Sequence, residues 1–104
     1  MTEHDLDHSA FQLDGEHETA TGWLYTFSVE RGNERKHHEL TLSWVDHEHL
    51  VNGAIAPERV AFAAFGLAVE HFGASLPERF DVSSLRRHIE SFDERSRSRI
   101  NAPL

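Results

Sequence analysis

Cysteine is absent from the 104 residues, which excludes disulfides, thiolate nucleophiles and cysteine-ligated zinc together. Lysine is nearly absent too: Lys36 stands alone beside nine arginines. The longest apolar run, Val60 to Val69, reaches half of the ~20 residues that a membrane span needs. The first twenty residues are acidic and lack the apolar centre of a secretory leader. A soluble, cytoplasmic chain with no membrane partner is therefore expected. Glycines 22, 32, 53, 66 and 73 stand singly, so no phosphate-cradling loop can be read. The patterns His-Glu-x-x-His, Gly-x-Ser-x-Gly and Ser-x-x-Lys are missing, which leaves a zincin or a serine hydrolase without support.

What is there is acidic and rich in histidine. Eighteen Asp+Glu against ten Lys+Arg give −8, and protonation of all nine His would bring the total to +1. Solubility and association should respond to pH near 6, where free imidazoles titrate. Net negative charge argues against nonspecific binding to nucleic acid. The charge is also uneven. Residues 1–30 carry seven acids and no Lys or Arg, whereas residues 86–99 carry five Arg against three acids. Complementary ends of this kind meet each other or meet partners of opposite sign, and charge by itself does not choose.

Hydropathy patterning gives the organisation. Residues 1–9 hold one leucine among acids and histidines, too little apolar surface to order alone, and are expected to form a flexible acidic arm. A single domain is expected over 10–97 and a frayed tail over 98–104. Phe11 and Leu13 suggest a short edge strand that turns at Asp14-Gly15. Trp23, Tyr25, Phe27 and Val29 alternate with smaller or polar residues, the period of a strand with one face on a core. A second alternating run, His37 to Asp46, puts Leu40, Leu42 and Trp44 on one face and pairs antiparallel with the first. A turn at Asn52-Gly53 follows, and then a helix from Pro57 to Phe72 that Gly73 stops. Phe62, Phe65, Val69 and Phe72 make one stripe of that helix, and Val60, Ala64, Leu67 and Ala68 a second. Gly66 between them marks a close approach to the sheet or to a second copy. Asp81 caps a final amphipathic helix over 82–97 through Val82, Leu85, Ile89 and Phe92. The fold class is α+β: an antiparallel meander of two or three strands, then two helices on one face of the sheet.

Two function classes compete. A helix apolar nearly all round is either enclosed on several sides or shared with another subunit, and the second setting predicts a homodimeric interaction or assembly module without catalysis. Its expected surface comprises Phe62, Phe65, Val69, Arg86 and Arg87. The alternative is a metal-binding or His/Asp-dependent enzyme domain. On a strand, His47 and His49 project together; Asp46 either faces solvent or caps the following turn once the strand ends at Trp44, or continues the alternation to the core side, where its carboxylate must be paired and Arg59 at the helix start is a candidate partner. With His71 these residues would offer ligands to a divalent metal. His71 also suits the last turn of its helix for dipole reasons alone. The arginines at 86, 87, 95, 97 and 99 could grip phosphate, but Glu90, Asp93 and Glu94 among them weaken that field.

Overall fold

A computed structural model describes residues 10–51 and 54–101. The expected acidic arm, the Asn52-Gly53 turn and the last three residues of the expected tail lie outside the described residues. Three strands follow one another, β1 (Ala10–Glu18), β2 (Gly22–Arg31) and β3 (Glu34–Ser43), each antiparallel to the next. Gly32 has φ of 59° while Asn33 keeps a negative φ, the pattern of a type II′ hairpin whose twist suits the flanking strands. Gly22 has a steric role. A Cβ there would lie 2.1 Å from the Leu42 carbonyl oxygen. A bulge shifts the β1–β2 register between Leu13 and Gly15.

Four helices come next, interrupted by a short strand: α1 (Trp44–Leu50), α2 (Pro57–Phe72), a 3-10 turn (Gly73–Ser75), β4 (Arg79–Asp81), α3 (Val82–His88) and α4 (Phe92–Ile100). The fold is α+β with a mixed sheet in the order β1-β2-β3-β4, where β4 runs parallel to β3. The sheet and the helix set are thus larger than the expected meander with two helices. A three-residue strand has no period to read. It is held by tertiary contacts, with Phe80 in register with Leu40 and the Glu39 N–H donating to the Glu78 carbonyl at 2.8 Å.

The alternation expected to run through Trp44 stops at Ser43. The Ser43 hydroxyl accepts from the Asp46 N–H at 3.0 Å, an N-cap that starts α1, and Asp46 in the first turn suits the positive helix end. Trp44 consequently leaves the core and is 52% exposed. The expected single helix over 82–97 is likewise two helices. Ile89 turns extended (φ −110°, ψ 119°), and Ser91 takes a left-handed conformation (φ 56°, ψ 35°). Leu85, Ile89, Phe92 and Ile100 are all buried on either side of this break. Helix α4 runs to Ile100, so residues 98–100 are helix and not tail.

Phe65 is at the centre of the core. Its ring stacks on Phe27 at 4.0 Å and 6°, and lies 5.9 Å from Phe80. The second stripe of α2 is covered within one molecule, since Val60, Ala64, Leu67 and Ala68 are all buried, and so are Phe65 and Val69 of the first, but Phe62 is 46% exposed. The close approach at Gly66 is to α4 and to the edge strand of the sheet. A Cβ there would lie 2.7 Å from Arg99 Nη1 and 3.5 Å from the Phe11 ring. No whole apolar stripe of this helix is left free; α4 and the edge strand lie over most of it, and Phe62 alone of the two stripes stays largely outside. No helix among the described residues is long and apolar enough to cross a membrane.

Candidate functional site

The residues that carry titratable chemistry converge where α1, α3 and α4 meet. Asp46 is buried, and its Oδ2 accepts from the Ser83 hydroxyl at 2.8 Å while its Oδ1 accepts from Arg86 Nη1 at 3.1 Å. Arg86 also donates through Nε to Asp93 Oδ1 at 2.9 Å, and the other Asp93 oxygen lies 2.8 Å from His49 Nε2. Five side chains thus form one chain of contacts. Burial works against the charge on Arg86, but the hydrogen bonds to Asp93 and Asp46 outweigh it and strengthen its hold on the proton. Burial likewise pushes the Asp93 carboxyl up, yet the bonds from Arg86 and His49 prevail and keep it below the ordinary aspartate range. Arg97 completes the joint: its Nε and Nη2 donate to the carbonyls of Leu50 and His49, each at 2.8 Å, and satisfy the free end of α1.

The four residues expected to hold a metal are dispersed around this joint. On a helix, positions two apart point to nearly opposite sides, because each residue turns about 100°. His47 is therefore buried, with Nε2 2.8 Å from the Ile55 carbonyl and its ring edge-on to Trp23 at 5.5 Å. His49 is on the exposed side, and its chemistry is engaged by Asp93. His71 is exposed in the last turn of α2, its ring against Phe72 at 4.8 Å. Asp46 and His49 belong to one network, but Arg86 and Asp93 stand between them. Among the described residues no group of three or more His, Asp or Glu is placed to hold a metal ion.

Asp46 does need a partner on the core side, but Arg59 is not it. Arg59 Nη2 donates instead to the Ile100 carbonyl at 2.6 Å. The true partners, Ser83 and Arg86, lie about forty positions away in the chain, and no local pattern links them to Asp46. The arginine-rich end is also largely neutralised from within. Arg95 and Arg99 both pair with Glu70, and Arg86 with two aspartates.

A second locus is apolar. Phe11 and Leu13 of β1, Phe62 and Ala63 of α2, and Ile100 of α4 line an open groove of about 400 Å³ rimmed by Glu58, Arg59 and Arg99. Phe62 is 46% exposed, and its ring contacts Phe11 with centroids 4.9 Å apart. The expected interaction residues divide accordingly. Phe65 and Val69 are core, at 0% and 7% exposure, because their stripe turns toward the sheet and α3. Arg86 is committed to the network, and Arg87 is exposed on α3. Of these five residues only Phe62 presents apolar surface outward. Sequence reasoning missed Leu13, Ala63 and Ile100 as its neighbours; the edge-strand assignment of Phe11 and Leu13 was the available signal.

The fold and the groove define a small α+β domain in which, among the described residues, the outer edge of β1 has no partner strand. No family model matches the chain, and neither a curated protein nor a solved structure matches it.

Proposed function

We propose that the protein is a small acidic interaction and assembly module that works as a homodimer and has no catalytic activity of its own. The observation that carries this reading is Phe62, an aromatic ring nearly half in water at the mouth of an apolar groove. Exposed rings in grooves with a charged rim are the usual centres of protein contacts. The engagement of Asp46, Asp93 and His49 in joining three helices favours a scaffolding role for the groups that would otherwise suggest chemistry. Internal pairing of Arg86, Arg95 and Arg99 favours a protein partner over nucleic acid.

One phenyl ring offers at most about 200 Å², whereas a stable interface buries roughly 800 Å² on each side. The groove must therefore act with its neighbours, the β1 edge and the charged rim. Light scattering over a concentration series tests the reading. A dimer at tens of micromolar that Phe62→Glu converts to a folded monomer, judged by an unchanged circular dichroism spectrum, is the expected result. A strict monomer at high micromolar concentration overturns it.

A further inference from the structure

The direction of the backbone groups along β1 follows from one bond. The Glu39 N–H donates to the Glu78 carbonyl, so the odd-numbered residues of β3 turn toward β4 and the even-numbered ones toward β2. Leu40 is in register with Tyr25, so the odd residues of β2 face β3, and Ser28 and Glu30 face β1. Their partners on β1 are Gln12 and Ala10. The N–H and carbonyl groups of Phe11 and Leu13 therefore point away from the sheet. Among the described residues β1 pairs with β2 alone. These outward groups belong to the same two residues whose side chains line the apolar groove.

Exposed strand edges are normally blunted by lysine, proline or inward charge. Ala10 to Leu13 has none of these, while Asp14, Glu16 and Glu18 crowd the other half of the strand. The distribution selects a pairing. Two β1 strands side by side in parallel, or crossing near Glu16, set acid against acid. Crossing antiparallel at Gln12 sets Asp14 of one strand opposite the neutral Ala10 of the other. We propose, building on the assembly reading above, that two copies join antiparallel through β1 about a two-fold axis at Gln12, with Phe11 of each opposite Leu13 of the other. The apolar groove of each copy then runs into that of its mate on the helix face, which brings the two Phe62 rings under cover. The rim supports a second copy of this chain as the occupant, because Glu58 and Arg59, which has no carboxylate partner among the described residues, give a two-fold-related surface both signs to match.

Cross-linking and proline substitution test this geometry. Gln12 is exposed and on the face opposite Phe11, and in the proposed register it lies directly against its own copy as a non-hydrogen-bonded pair, with Cα atoms about 4.5 Å apart. The cysteine-free chain makes Gln12→Cys a clean probe: mild oxidation should give a disulfide-linked dimer, while Ala10→Cys, set opposite Asp14, should not. Leu13→Pro removes an outward N–H twice per dimer and leaves the β2 ladder bonds of Ala10 and Gln12 intact; the dimer Kd should rise at least about tenfold. A dimer that persists in Leu13→Pro, or in which Gln12→Cys links no faster than Ala10→Cys, overturns the β1 geometry and leaves assembly through another surface standing. Gln12→Cys also serves should Leu13→Pro fail to fold. A wild-type chain that stays monomeric overturns both this geometry and the assembly reading.

Discussion

The joint around Arg86 and the groove around Phe62 are made of opposite materials and reach opposite ends. At the joint, both Asp46 oxygens and both Asp93 oxygens have partners within 3.1 Å, supplied by α1, α3 and α4. At the groove, an aromatic ring stays 46% exposed, and the neighbouring strand edge turns two residues' backbone groups outward. At the joint the carboxylate oxygens are closed, and Arg86 Nη2 is the one buried nitrogen there without a hydrogen-bond partner among the described residues. Residue types that suggest core are left where bonds and surface are open. The general lesson is that a functional surface is better located by unsatisfied capacity than by reactive side chains.

The contrast can be broken first inside α2. Phe65→Ala should cost about 3–5 kcal/mol of folding stability, because it empties the stack between Phe27 and Phe80. Phe62→Ala, three residues earlier, should cost under about 1 kcal/mol of folding while weakening dimerisation roughly thirtyfold, as expected for a central interface aromatic. Urea melts of both variants, with sedimentation analysis of the second, check the pair. Equal losses of folding stability would erase the distinction between core and surface.

Arg86→Ala should come next, at about 3 kcal/mol. It strips a cation from two carboxylates at once, one of them on a buried aspartate, and the remaining solvent contact moderates the loss. Dimerisation should be unaffected, because the joint and the groove share no residues. A smaller effect follows from acid. The Asp93 carboxyl titrates lower in the folded chain than its unfolded value of about 3.9. Its contribution is therefore complete above that value and is lost as pH falls from there through the lower folded value. Urea midpoints measured from pH 6 to pH 3 should fall, and Asp93→Asn should reduce that slope. The smallest expected effect is that of zinc. A site filled at 100 times its Kd would add about 2.7 kcal/mol, and with Asp46, His47, His49 and His71 pointing to different partners the melting temperature should not move.

Much of the fold was legible because it is written locally. Alternation over residues 23–29 and 40–42, a proline at the start of α2, a glycine after it and an aspartate cap at 81 each correspond to an observed element or terminus. Errors came where a local signal competed with a longer pattern. Trp44 continued an apolar alternation, but the Ser43 cap outranked it, and the switch from strand to helix turned His47 and His49 apart. Leu85, Ile89 and Phe92 kept helical spacing across a break at Ser91 that has neither glycine nor proline to announce it. For the candidate site, Phe62 and the need of Asp46 for a partner were readable, whereas the partner was not.

The chain alone determined its class, the positions of its main strands and of α2, the absence of cysteine chemistry and the imbalance of its charge, because these depend on neighbours within a few residues. Tertiary structure decided that Phe62 stayed nearly half in water, which arginine met Asp46 and which edge of the sheet is unpaired among the described residues. Those outcomes depend on contacts between residues some forty or more positions apart, such as Asp46 with Arg86, or Phe11 with Phe62. Such pairs leave no periodicity in the sequence, since their geometry exists only once the helices have been placed on the sheet.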